Sequence, residues 1–192
     1  MAVIMFIPPL IHDVDWLRFG LAMAACVFIL SETFRLFCCS ADSHLTRVMN
    51  TFRNGLDSGN AVLSHLWLLL GCAIPVFAVR DTWEPSAAAS GILSLGILDS
   101  AAAIFGMGFG KTRWPGREKT IMGSFSGILA YVAVQYLVFS LHSLRNPATN
   151  IVPWFIQGVI CAAWEAISDQ NDNITLPLVA YISCALIPAV DS

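Results

Sequence analysis

Charge is scarce in this sequence. Only 12% of its 192 residues are Asp, Glu, Lys or Arg and 57% are hydrophobic, whereas an ordinary soluble domain carries roughly a quarter charged residues. A soluble helix or strand needs one polar face. Here several segments of about 20 residues lack charge on every face, which is the length that crosses a bilayer. That pattern excludes a conventional aqueous domain, and no basic stripe offers a footprint for nucleic acid. Metal-ligand spacing is missing too: the six cysteines show no CxxC and no Cys/His pattern and read as small apolar residues. A basic leader is also lacking. MAVIMFIPPLIHD has no Lys or Arg and no small-residue cleavage site, so it is a poor signal peptide and reads as part of a helix too short to span.

What is present is a series of apolar runs. Helices are expected at about 16–38, 61–79, 86–110, 121–141, 151–167 and 174–190. The fold class is therefore all-α: a polytopic transmembrane helical bundle of about six spans plus a partial amino-terminal helix, with residues 1–192 forming one transmembrane domain. Ser, Asp, Asn and Gly collect in 39–60, a connection with room for one surface helix. Seven of the ten basic residues (Arg35, Arg47, Arg53, Lys111, Arg113, Arg117 and Lys119) fall on one side of such a bundle, and Arg18, Arg80 and Arg145 on the other. Because short basic loops are retained in the cytoplasm, the connections 39–60, 111–120 and 168–173 are expected there.

Asp99 is the strongest single signal of chemistry. It interrupts SAAASGILSLGILDSAAAIFGMGFG, and an ionisable group at the centre of a membrane helix costs roughly 2.5 to 3.5 kcal/mol on insertion scales. Helical spacing continues its face through Ala102, Ala103, Gly106 and Gly110, a smooth groove whose two glycines also match a GxxxG packing pattern. KTRWPGREKT follows, four cations around a Pro115-Gly116 turn, suited to polyphosphate or to fixing topology. GMGFGKT is not a P-loop, because Phe105 stands where that pattern requires glycine. In WEAISDQNDN, Glu165, Asp169 and Asp172 would share a face if the helix continued, and could hold Mg²⁺ with phosphates as further ligands; a solvated helix end is the plain alternative. Asp57 and Ser58 precede the third helix as candidate caps, with Asp57 also a weak site candidate. His65 reads as a packing residue. Asn173-Ile174-Thr175 matches a glycosylation sequon on the cytosolic side and should stay unmodified.

Taken together, LDSAAAIFGMGFGKTRWPGREKTIMGSFSG resembles the signature of the dolichol kinases and of the wider polyprenol, phytol and CTP-dependent diacylglycerol kinases, approximately GDxxAxxxGxxxGxxxWPGxKKTxEGS. LDSGNAVLSHLWLLLG and WEAISDQNDNITLPL are similar to the segments on either side of it. The resemblance covers nearly the whole chain and corresponds to the carboxyl-terminal catalytic part of longer members. It implies transfer of the γ-phosphate of CTP to dolichol, with Mg²⁺, in the endoplasmic reticulum membrane and at its cytosolic face. Carried over residue by residue, it implies Asp99, Lys119 and Asp172 as catalytic, Asp99 and Asp172 as metal-binding, and Gly106, Gly110, Gly116, Lys119, Thr120 and Gly123 as CTP-binding; Arg113 and Arg117 join the phosphate-binding set through their charge in the basic loop. Three positions depart from the pattern. Leu98 replaces a glycine, Glu118 puts an anion for a cation in the phosphate loop, and Met122 replaces a glutamate that could serve as metal ligand or base. The alternatives are a non-catalytic or truncated homologue, a related diacylglycerol or phytol kinase, or a cytidylyltransferase.

Overall fold

Apolar runs of this length fold as helices because a backbone amide in hydrocarbon has no water to bond and must find its partner within its own segment. The structure is a computed structural model that describes residues 14–38, 43–51, 53, 57, 60–79, 85–142, 151–168 and 171–187. In chain order the elements are α1 (Val14–Cys38), α2 (His44–Thr51), α3 (Ser64–Ala78), α4 (Pro85–Leu93), a π-helical turn (Ser94–Asp99), α5 (Ser100–Phe109), α6 (Ile121–His142), α7 (Val152–Ile167) and α8 (Asp172–Leu186). Among the described residues there is no strand, only one antiparallel bridge between Arg113 and Thr120. The six long expected helices are all present, and α2 is the surface helix expected in the 39–60 connection. The amino-terminal stub, Ser58 and Asp169 lie outside the described residues.

Val14–Cys38, Ser86–Phe109 and Ile121–Val138 are long and apolar enough to cross a membrane, while α3, α7 and α8 are shorter apolar helices. α3 packs on α4 and α8, α7 packs between α6 and α8, α5 packs on α6, and α1 flanks α3. The continuous run from α4 to α5 is central. Its first half, with Ala87, Ala88, Ala89, Leu93 and Leu98, is buried, and Ser90 and Ser94 return their hydroxyls to backbone carbonyls one turn back. Small side chains allow this close packing: a Cβ on Gly91 would lie 2.5 Å from the Gly71 carbonyl oxygen. The second half emerges with Ile104, Phe105, Met107 and Phe109 exposed, the apolar outer face that a lipid environment covers.

The helix ends on one side of the bundle are tied together by polar contacts. Glu32 and Arg35 form a buried ion pair at 2.6 Å on α1. Glu32 Oε1 also accepts from the Val62 amide at 2.6 Å, and Arg35 donates to the Asn60 carbonyl. Asp57 Oδ1 accepts from the amides of Leu63 and Ser64 at 2.9 and 3.0 Å, which satisfies donors that the first turn of α3 leaves open. Asp57 thus serves the start of α3 from outside the helix, whose N-cap position is Leu63. Asn173 Nδ2 donates to the Ser64 carbonyl at 3.3 Å, and Gly71 leaves no room for a side chain against the Asn173 carbonyl. These contacts seat the first turn of α8 on α3 and so fix Asp172.

Candidate functional site

The loop between α5 and α6 takes its shape from its own sequence. Trp114-Pro115-Gly116-Arg117 closes with the Arg117 amide donating to the Trp114 carbonyl at 3.0 Å, and Gly116 has φ +72°. Proline second and glycine third in a type II turn meet those backbone requirements. Flanking bonds from the Trp114 amide to the Lys119 carbonyl (2.9 Å) and from the Ile121 amide to the Thr112 carbonyl (3.0 Å) make a small hairpin. Thr120 Oγ1 accepts from the Gly123 amide at 3.1 Å and so begins α6, while Trp114 Nε1 donates to Ser124 Oγ at 3.1 Å and holds the hairpin against it. The hairpin is rigidly based, and Lys119 leaves it pointing inward.

That side chain reaches two other helices. Lys119 Nζ lies 2.7 Å from Asp172 Oδ2 at the start of α8 and 3.1 Å from Glu165 Oε1 near the end of α7. Burial works against the ammonium charge, but the hydrogen bond to Asp172 and the field of Glu165 outweigh it and hold the group above the ordinary lysine range. Lys119 therefore stays charged at any physiological pH.

The cluster borders a cavity of about 480 Å³ lined by Asp99, Ala102, Ala103, Gly106, Met107, Gly110, Arg113, Glu118, Lys119, Thr120, Gly123, Ser124 and Glu165. Asp99 is the last residue of the π-helical turn, a local widening that often accompanies functional positions in helices. One wall is the groove face that helical spacing gives from Asp99 to Gly110; the opposite wall is the start of α6. Gly106 and Gly123 serve close packing as well. A Cβ on Gly123 would lie 2.7 Å from the Ala102 carbonyl oxygen, and one on Gly106 would lie 2.8 Å from Thr120 Oγ1. Ala103 and Met107 line the cavity yet are exposed on the outer helix face, so the cavity meets the apolar surface sideways.

Of the residues singled out from sequence, Asp99, Gly106, Gly110, Arg113, Lys119, Thr120 and Gly123 border this one cavity, and Asp172 joins it through Lys119. Gly116 and Arg117 form the hairpin turn and do not line it. Glu165 and Asp172 come together by a route other than a shared helical face. α7 ends at Ile167, Ser168 is extended, and Asn171 caps α8 by accepting from the Asn173 amide. The three departures fall in different places. Leu98 is fully buried in the core, and Met122 is 42% exposed and absent from the cavity. Only Glu118 lines it. His65 stacks on Phe28 with ring centroids 6.3 Å apart, a packing role.

Whether the donors suit a divalent cation can be judged from their unmet valences. Among the described residues no three His, Cys, Asp or Glu side chains are grouped to hold a metal by themselves. Glu165 Oε2 and Asp172 Oδ1 are nevertheless buried without a hydrogen-bond partner among those residues. Two carboxylates with spare oxygens fit a cation such as Mg²⁺, which is commonly held by one or two carboxylates together with substrate phosphates.

Comparison with known proteins gives three representative similarities. The chain is 31% identical over 188 residues to "Dolichol kinase" of Mus musculus, covering 92% of this chain and 35% of that one. It is 32% identical over 186 residues to "Dolichol kinase EVAN" of Arabidopsis thaliana, covering 94% and 33%. It is 27% identical over 187 residues to "Dolichol kinase sec59" of Schizosaccharomyces pombe, covering 95% and 37%. The chain thus spans about a third of the length of the curated relatives it matches. No family model matches it, and no solved structure does either.

Proposed function

We propose that this chain, similar along nearly all of its length to proteins named dolichol kinase, transfers the γ-phosphate of CTP to the terminal hydroxyl of dolichol. The proposed location is the endoplasmic reticulum membrane, with the reacting groups facing the cytosol, where the excess of basic loop residues is expected. The observation that carries the proposal is the junction inside the cavity. Lys119, Arg113 and Asp99 share one cavity with Ala103 and Met107, and the last two are also exposed on the apolar helix face. A phosphate donor suits the first group, and a lipid alcohol arriving from the bilayer suits the second.

Phosphoryl transfer asks little covalent chemistry of a protein; positioning and charge neutralisation supply most of the rate. Lys119 and Arg113 stand where they can hold phosphate oxygens, Lys119 as a point charge and Arg113 through its guanidinium fork. Arg117 and Gly116 contribute by shaping the hairpin that aims them. Asp99 accepts a hydrogen bond from the lipid hydroxyl and turns its oxygen toward the γ-phosphorus. Asp172, with Asp99, would hold Mg²⁺, which supplies charge neutralisation on the phosphates when bound. The small residues Ala102, Gly106 and Gly110 let the reacting groups lie against the α5 backbone.

The test is transfer from γ-labelled CTP to dolichol by membranes carrying this chain, with ATP and diacylglycerol as comparison substrates. Labelled dolichyl phosphate formed from CTP in preference to ATP is the expected product, with CDP released. Release of pyrophosphate would identify a cytidylyltransferase instead. No transfer to any lipid, from a chain shown to be inserted and folded, would overturn the proposal.

A further inference from the structure

The position of the Lys119 ammonium has a meaning of its own. It sits between two carboxylates from different helices, 2.7 Å from Asp172 and 3.1 Å from Glu165. Carboxylates that converge on one point repel unless a cation lies between them, and a single ammonium neutralises only one of the two charges. Each carboxylate keeps its other oxygen, Glu165 Oε2 and Asp172 Oδ1, buried without a hydrogen-bond partner among the described residues. Leaving such oxygens unmet is costly. Glu165 is only 5% exposed and lines the cavity. Asp99 and Glu118 line it as well, so three acidic residues line the cavity against two basic ones, Lys119 and Arg113, and Asp172 adds a fourth carboxylate through its contact with Lys119. The excess of negative charge suits a divalent cation better than a bare polyphosphate.

We infer that Glu165 joins Asp172 as a ligand of the divalent cation and that Lys119 is the cation's exchangeable stand-in, holding the pair together until the cation binds. On exchange the two carboxylates turn from the ammonium to the cation, and Lys119 is released toward the phosphates. No covalent bond changes in this step. The inference rests on the cation–nucleotide reading of the cavity. It assigns Glu165, which the signature resemblance leaves without a role, as a cation ligand, and it gives the acidic function to a residue other than the one at position 122.

The test uses the whole chain purified in detergent, with Mn²⁺ alone as probe and its binding read by electron paramagnetic resonance, in the absence of nucleotide and lipid alcohol. Lys119→Met removes the competitor and should bind Mn²⁺ roughly tenfold more tightly than the unaltered chain. Arg113→Met removes an equal charge from the same cavity without freeing the pair, and should change affinity far less. Adding Glu165→Gln to Lys119→Met should abolish the gain. Equal gains from Lys119→Met and Arg113→Met, or no gain from Lys119→Met, would overturn the inference. A second measurement needs no substitution. The rate of reductive methylation at Lys119, located by mass spectrometry, should rise when Mn²⁺ is added; an unchanged rate at saturating Mn²⁺ would also overturn it. Neither measurement reads phosphate transfer. A chain that transfers no phosphate but shows this exchange loses the proposed activity alone, and one that transfers phosphate without the exchange loses this inference alone.

Discussion

At the scale of single residues, the cavity separates side chains that line it from those that only neighbour them in sequence. Asp99→Asn keeps the size of the side chain and removes the charge, and should lower CTP-dependent transfer by about 100-fold or more while membrane insertion, followed by carbonate extraction, is unchanged. Substantial residual activity would remove Asp99 from the mechanism. Met122 is the contrasting case. It adjoins Gly123 in sequence, yet it is 42% exposed and outside the cavity. Met122→Glu should therefore leave transfer within roughly threefold of the parent, the range expected of a surface change. A large gain would mean that the position does reach the site. Glu118 does line the cavity, so Glu118→Lys should lower the KM for CTP several-fold with little change in kcat, because the added cation attracts phosphate in the ground and transition states alike. A fall in kcat would contradict that assignment.

At the scale of elements, the site depends on two close approaches that glycine permits, α3 to α8 at Gly71 and α5 to α6 at Gly106 and Gly123, and on the positive φ of Gly116 in the hairpin turn. Gly71→Ala should push the first turn of α8 away from α3 and carry Asp172 off Lys119, so both thermal stability in detergent and transfer should fall. Gly116→Ala forces a left-handed conformation on a residue with a Cβ, at roughly 1–2 kcal/mol, whereas Gly116→Asn should retain most activity, since asparagine tolerates that region. If the two Gly116 variants behaved alike, turn strain would not be what the position controls. The helices were legible in the sequence because uncharged runs of bilayer length permit little else. The groove from Asp99 to Gly110 was legible because α5 is regular after Asp99, so spacing alone gives its face. The π-helical turn just before it carried no compositional mark. Nor did the convergence of Glu165 and Asp172 follow from their spacing of seven: the helix that would align them breaks at Ser168, and they meet only because α7 and α8 fold back around a lysine 46 and 53 residues earlier in the chain.

At the scale of the whole molecule, one end of the bundle holds, among the described residues, both the buried ion pair of α1 and the Lys119 cluster. Glu32 and Arg35, the Asp57 contact, the Asn173 contact and the Lys119 cluster are linked in series through α1, α3, α8 and the hairpin. At the other end of α7, Ile151 is exposed. The proposed orientation puts the ionic end in the cytosol, where CTP would be available, and it can be read from labelling alone. In a cysteine-free background, Lys111→Cys in the exposed hairpin should react with a membrane-impermeant maleimide added to sealed, cytosolic-side-out microsomes. Ile151→Cys should react only after the membrane is opened with detergent. Native cysteines must be removed first because Cys26 and Cys38 are exposed. The reverse pattern would place the cavity in the lumen, leaving the seven-to-three charge asymmetry without its ordinary consequence and removing the cytosolic nucleotide on which the proposed transfer depends.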